Sequence, residues 1–306
     1  MEQHGGEHRR WRPTYPLDLA QVAAPLHRGA HDPTARWQAD SLWRAARTPA
    51  GIGTIRISPS PSTGEVDATA WGDGAPWLLE RVPAMLGAHD EPHTLILPPG
   101  PLREVQRRNP GLRLGSTGLV LDSLVPAILE QKVTVTEAHR AWRYLLRRFG
   151  TPAPGPLADL RVAPAARQWA LIPSWEWHKA GVDPMRSATI QQAVRLAPRL
   201  EEAGAMDSLA AAARLTTVPG IGPWTAAETL QRSNGDPDAV SVGDFHLKNV
   251  VGWALAGRAR SSDEQMLELL EPYAGNRHRV CRLIRLAGTR APRFGPRLAP
   301  QEHRFH

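Results

Sequence analysis

The stretch "LTTVPGIGPWTAAETL", residues 215–230, limits what this chain can fold into more than any other segment. Two prolines and two glycines interrupt what would otherwise be one amphipathic helix. Leu215 and Val218 share a face of an incoming helix, Gly220 and Gly222 permit backbone angles that other residues resist, and Pro223 suits the first turn of a new helix. The spacing predicts two short helices joined by a tight hairpin. N–H groups at the start of the second helix then point outward together and form an anion site, most obviously for a phosphate, with the Thr225 hydroxyl beside it. The blander reading of the same letters is an ordinary helical turn with glycines for packing.

Periodicity divides the rest of the chain. Residues 1–15 read as a disordered arm and residues 16–108 as an N-terminal α+β domain. Within that domain, 16–29 carries Leu19, Val22 and Leu26 at helical spacing, and 76–86 reads as a short helix. "ARWQADSLW", "GTIRISPS", "EVDATAWG" and "HTLILPPG" (93–100) read as strands. From residue 109 the strand signals stop. Residues 121–150 read as two helices ending at Gly150, followed by a "TPAPGP" linker. Helices are then expected over 157–171, 186–203, 206–217, 223–234, 244–257, 262–272 and 276–288. The class is mainly α with an N-terminal α+β domain: a small antiparallel sheet domain, a helical domain over 109–289, and a basic tail over 290–306.

Composition narrows the function. The 306 residues carry a net charge of +7, which points toward a polyanionic partner, although solubility alone also accounts for it. Cys281 is the only cysteine, which excludes an intramolecular disulfide, a cysteine-based zinc site and a four-cysteine iron–sulfur cluster. The histidines are scattered without metal-ligand spacing, so no metal catalysis is expected. No apolar run approaches the ~18 residues of a membrane span. No apolar segment follows the basic N-terminal residues, so neither a membrane segment nor a signal peptide is expected, and a cytoplasmic protein is the simplest reading.

Downstream of the hairpin, "AVSVGDFHLKNVVGWAL" (239–255) closes an apolar run at Gly243 and puts Asp244 where a helix begins, with Lys248 one turn on. Read alone, Asp244 is a helix N-cap paired at i,i+4 with Lys248. Read with the hairpin, it can face the same groove and, near a DNA backbone, a deoxyribose. Taken together, "VPGIGPWTA" and "SVGDFHLKN" resemble the helix-hairpin-helix superfamily of DNA base-excision glycosylases. "NPGLRLGSTGLVLDSLVPAILEQKVTVTEA" resembles the region that opens the helical domain in its bacterial 3-methyladenine DNA glycosylase II branch. "HDPTARWQADSLWRAARTPAGIGTIRI" resembles that branch's N-terminal β domain, so the likeness covers most of residues 16–288.

The resemblance implies a helical domain of two lobes with the active-site cleft between them, and it implies roles. Asp244 matches the catalytic aspartate, which stabilises the oxocarbenium-like sugar and orients water. The backbone around Gly220 and Gly222 matches the DNA phosphate contact. In relatives the carbonyls of this loop, here Thr216, Val218 and Ile221, bind a monovalent cation. Trp224 matches an aromatic of the base pocket, where an indole favours positively charged alkylated purines by cation–π attraction. Tyr273 is a further pocket candidate, and core packing remains the other reading of Trp224. The "LEQKVTV" turn supplies the residues that fill the gap left by a flipped base. Here they are Gln131 and Lys132, and the lysine departs from the bulky apolar wedge of the best-known relative, so either Gln131 fills the gap or Lys132 contacts a phosphate, the blander reading being a surface lysine after a helix.

Members that also cleave the strand carry a lysine in the second hairpin helix, where this chain has Trp224. A Schiff base needs an amine, and the only lysines are Lys132, Lys179 and Lys248. A monofunctional glycosylase for alkylated purines, acting in base excision repair, is therefore expected. Its partner is duplex DNA containing damaged bases, with Lys248 among the DNA contacts. It is expected to be a nucleoid-associated monomer with no obligate protein partner and no required cofactor, apart from a structural Na or K at the hairpin. Two alternatives stay open: a glycosylase for oxidised or deaminated bases, with His246 as a general acid, and a non-catalytic hairpin protein that binds only phosphates. Arg277, Arg279, Arg282 and Arg285 recur along the last helix and can face DNA. Trp142, Trp169 and Trp253 fit helix core faces, while Trp175 and Trp177 lie in a non-periodic stretch and either border the pocket or pack in the core.

Overall fold

The alternating N-terminal segments pair as one antiparallel sheet in a computed structural model that describes residues 5–60 and 62–292. Its strands are β1 (Glu7–Trp11), β2 (Ala35–Gln38), β3 (Ser41–Thr48), β4 (Gly51–Ser60) and β5 (Glu65–Trp71), in the order β1-β5-β4-β3-β2. Period-two alternation sends Leu42, Ile55, Ile57, Val66 and Ala70 to one face, where α1 (Leu19–Ala23) and α2 (Ala75–Met85) cover them. On the other face Trp43 stacks on Trp71 at 5.3 Å beside Leu160 and Val162.

The disordered arm expected over 1–15 is corrected at β1. Glu7–Trp11 pairs with β5 from Glu7↔Ala70 to Trp11↔Val66, Arg10 donates to Asp67, and Trp11 packs on the sheet core. A strand with a full ladder and side-chain partners has somewhere to go, which basic composition does not reveal. Residues 1–4 lie outside the described residues, as does the tail expected at 290–306 from residue 293 onward.

The helices that follow are α3 (Pro101–Arg108), α4 (Val120–Leu129), α5 (Val135–Phe149), α6 (Ala166–Ala170), α7 (Ser174–Ala180) and α8 (Pro184–Arg195). Then come α9 (Ala197–Glu201), α10 (Ser208–Thr216), α11 (Pro223–Ser233), α12 (Leu247–Ala256), α13 (Asp263–Leu270) and α14 (Arg277–Leu286). They bury two separate cores. One runs from α4 through α11, with Trp142, Trp169 and Trp177 stacked at 6.4 and 5.8 Å. The other joins α12, α13 and α14 to Leu95, Leu97, Leu102, Val105 and Leu112. The described helical part thus has two lobes, and the chain passes between them twice, once between α3 and α4 and once between α11 and α12.

Several local expectations give way. The strand read at 93–100 is a short 3-10 turn (Pro92–Thr94) and an extended segment. Its alternation is real, because Leu95 and Leu97 are buried while Ile96 is 87% exposed, but the buried side enters the α12–α14 lobe rather than a sheet. Residues 95–112 share that lobe's core, so the division drawn at residue 108 is not the one the cores draw. The "TPAPGP" linker starts with Thr151–Pro152, which pairs with Arg161–Val162, and this shortens the helix read over 157–171 to α6. The non-periodic stretch around Trp175 and Trp177 forms α7, which also carries Lys179. Trp177 is buried beneath that helix, whereas Trp253, read as core, is 39% exposed.

Candidate active site

The punctuation that predicted the hairpin builds it. Asp207 caps α10 by accepting the Ala210 N–H at 2.9 Å. The chain turns through Val218, whose carbonyl accepts the Ile221 N–H at 3.0 Å, and re-enters helix at Pro223. Gly220 sits at φ +89°, and a Cβ there would stand 2.2 Å from Thr189 Oγ1, so both conformation and space demand glycine. Gly222 is different. Its backbone is extended, and a Cβ would meet nothing within 4 Å. It caps α11 with no side chain, which leaves the first-turn N–H groups of Trp224 and Thr225 without intrahelical acceptors beside an open mouth.

The role given to Thr225 is corrected. The residue is 2% exposed, and its hydroxyl accepts the Gln131 side-chain amide at 2.8 Å. The same amide donates to the Gly220 carbonyl at 2.9 Å. Gln131 therefore clamps the α4–α5 turn onto the hairpin. The neighbouring Lys132 is the exposed tip of that turn and holds φ +55°, a conformation uncommon outside glycine.

Asp244 is half-buried just before α12. Its Oδ1 accepts the N–H groups of His246 and Leu247, each at 2.8 Å, and its Oδ2 faces the Trp224 indole N–H at 3.4 Å. Capping thus occupies one oxygen of the carboxylate, and the other is turned toward Trp224. The expected partner Lys248 is corrected: its ammonium pairs with Asp263 at 3.2 Å. Asp263 also accepts the Gly243 N–H at 3.1 Å and so fixes the backbone just before Asp244.

Two further residues hold the segment in register. Glu228 and Gln231 lie on α11 one and two turns beyond Trp224. The buried Glu228 carboxylate accepts the Ser241 hydroxyl, and Gln231 donates to the Ala239 carbonyl at 2.8 Å and to Ser241 Oγ at 2.9 Å. Glu228 also accepts from Arg232 at 2.8 Å. Sequence reasoning missed this clasp, and its only signal was the i+4, i+7 spacing from Trp224.

The remaining expected residues have contacts of their own. Tyr273 packs on the core of the α12–α14 lobe. Arg277 is paired with Asp238, Arg279 is buried against Asp90, and Arg282 donates to the Gln21 carbonyl at 2.9 Å. Of the α14 arginines expected to face DNA, only Arg285 is exposed. The Thr216, Val218 and Ile221 carbonyls lie around one tight turn, and the Val218 oxygen already takes one N–H. Neutral carbonyl oxygens suit a monovalent cation, and among the described residues no cluster of three or more His, Cys, Asp or Glu side chains offers a transition-metal site.

No family model matches the chain. Two curated proteins from Mycobacterium tuberculosis strains, each named "Probable bifunctional transcriptional activator/DNA repair enzyme AlkA", are 30% identical over 215 residues. That match spans 67% of this chain and 42% of theirs, so the chain matches less than half the length of these relatives. Among solved structures, the 3-methyladenine DNA-glycosylase from Archaeoglobus fulgidus aligns with a TM-score of 0.75 over 92% of this chain and 98% of its own, at 16% identity. The Clostridium acetobutylicum 8-oxoguanine glycosylase/lyase in complex with dsDNA aligns at 0.67 over 94% and 98%, with 11% identity. These two share the fold: a small sheet domain followed by the two helical lobes. With the hairpin and the following aspartate in place, and with that curated kinship, the chain belongs to the helix-hairpin-helix DNA glycosylase superfamily, on its AlkA-like branch.

Proposed function

We propose that the chain is a monofunctional DNA glycosylase that hydrolyses the N-glycosidic bond of alkylated purines, of the 3-methyladenine and 7-methylguanine kind, in duplex DNA. The observation that carries this reading is the Asp244 carboxylate standing beside the Trp224 indole at the hairpin mouth, 3.4 Å apart. The names of the curated DNA repair relatives and of the Archaeoglobus 3-methyladenine enzyme support the substrate class. The duplex held by the Clostridium neighbour supports the partner.

The chemistry follows from charge. The open N–H groups at Gly222 anchor a phosphate, and the damaged nucleotide turns out of the stack toward Trp224. An alkylated purine carries positive charge, so the indole face attracts it, and it departs without needing a proton. As the bond to C1′ lengthens, the sugar becomes cationic. Asp244 Oδ2 stabilises that cation and orients the attacking water. The two backbone N–H groups on Oδ1 fix the carboxylate beforehand, so little reorganisation accompanies the reaction.

Trp224 stands where a strand-cleaving relative has its lysine. Lys179 is 3.7 Å from Glu176 and Lys248 is 3.2 Å from Asp263, so neither is a free amine beside Asp244. The enzyme works as a monomer on the cell's DNA, initiates base excision repair, and requires no cofactor, while the hairpin carbonyls would hold a structural Na or K ion.

The test is single-turnover base release from duplexes carrying alkylated, deaminated or oxidised purines, with wild type and Asp244→Asn. Release of alkylpurines, an intact abasic strand, and loss of release in the variant with duplex binding retained are expected. Release confined to oxidised bases, or strand cleavage without alkali, would overturn the assignment.

A further inference from the structure

The chain's basic charge is not where the sequence pattern put it. On α14 three of the four regularly spaced arginines are consumed by Asp238, Asp90 and a backbone carbonyl, and only Arg285 is exposed. On α5 the arrangement differs. Arg140, Arg143, Tyr144, Arg147 and Arg148 line one concavity of about 440 Å³. At 100° per residue they share the face opposite the buried Ala141, Trp142, Leu145 and Leu146. Arg143 and Arg147 have no carboxylate partner among the described residues. The nearest acid on the neighbouring helix, Glu176, is buried and accepts the Tyr144 hydroxyl at 2.7 Å.

We propose that this face of α5 binds the sugar-phosphate backbone of duplex DNA away from the damaged base. The proposal rests on duplex DNA being the partner and adds a second contact to the hairpin. Continuity with the site supports it. α5 begins directly after the turn in which Gln131 clamps the hairpin and Lys132 forms the exposed tip. The stripe from Arg140 to Arg148 is ~12 Å long, about three to four base-pair steps of a duplex. Guanidinium forks match phosphate oxygens in pairs, and a rigid helix presents them at fixed spacing. Such contacts carry no sequence information. They hold the enzyme on undamaged duplex while it searches.

The test measures binding of the full chain to an undamaged duplex of roughly 20 base pairs as a function of salt, since each phosphate contact contributes about 0.9 to the slope of log Kobs against log salt. Arg143→Gln/Arg147→Gln is compared with a charge-matched control on exposed arginines elsewhere, Arg167→Gln/Arg195→Gln. Equal thermal unfolding of all three proteins establishes that each is folded. The expected result is a slope shallower by about 2 in the α5 variant and unchanged in the control. An unchanged slope in the α5 variant, or an equal loss in the control, overturns the proposal. Duplex binding without any base release would remove the catalytic assignment and leave this surface standing. Failure of the wild type to bind duplex at all would remove both.

Discussion

At the scale of single residues, the two hairpin glycines do different work. Gly220 answers to its own chain: positive φ and Thr189 leave no room for a methyl group. Gly222 answers to whatever comes to the mouth, because a methyl there meets no protein atom. Gly220→Ala is therefore expected to lower stability by about 2 kcal/mol or more, combining backbone strain of ~1–2 kcal/mol with the clash. Gly222→Ala is expected to leave stability within about 0.5 kcal/mol and to weaken duplex binding at least several-fold. Urea unfolding and duplex titration of both variants check this. A stable Gly220→Ala, or a Gly222→Ala that binds normally, contradicts the assigned roles. The hairpin and Asp244 were legible because glycine and proline act locally, on their own backbone angles. The clamp from Gln131 to Thr225 was not, because its partners are 94 residues apart and no local rule links an amide to a distant hydroxyl.

At the scale of elements, α5 and α14 show what periodicity can and cannot say. Both carry arginines at helical spacing, and their letters alone do not separate a free basic face from a neutralised one. The difference lies in what packs opposite. α14 inserts into the molecule, so all of its charged groups but the exposed Arg285 are paired, hydrogen-bonded or buried. Burial and the nearby Arg285, Arg232 and Arg279 push the Arg282 guanidinium down to about 10. His278 on the same helix is held well below its usual value of 6.5 by burial first, then by Arg282, Arg285, Arg232 and Arg279. The folded state thus refuses a proton that the unfolded state accepts. Stability from this group is intact above about pH 6.5 and falls as pH drops below it, by up to about 1.4 kcal/mol per pH unit until the folded value is reached. His278→Gln removes that dependence. The stability gap between wild type and variant should shrink by about 1 kcal/mol between pH 7 and pH 5.5, measured by urea unfolding. A gap independent of pH would mean that the folded protein also accepts the proton.

At the scale of the whole molecule, the sheet domain and the helical lobes are tied by charges that the sequence gives no means of pairing. Arg44 of β3 meets Asp122 of α4, Arg232 of α11 donates to the Pro25 carbonyl at 3.0 Å, and Arg279 of α14 is buried against Asp90, 189 residues away. The class of each part could be read from its own letters, but its attachment could not, since these bonds join residues between 78 and 207 positions apart. Asp90 also accepts the Leu114 N–H at 3.0 Å, so it braces the segment entering α4 as well as α14. Asp90→Ala leaves a guanidinium buried without a counter-charge and is expected to cost about 3–5 kcal/mol. The pair need not be irreplaceable, because desolvation offsets much of its attraction. Asp90→Leu/Arg279→Met, which removes both charges and keeps volume, should recover most of that loss. If the double variant is as unstable as Asp90→Ala, the geometry of the ion pair itself holds α14 against the sheet domain. If it recovers, shape does most of the holding, and the charges chiefly select which surfaces meet.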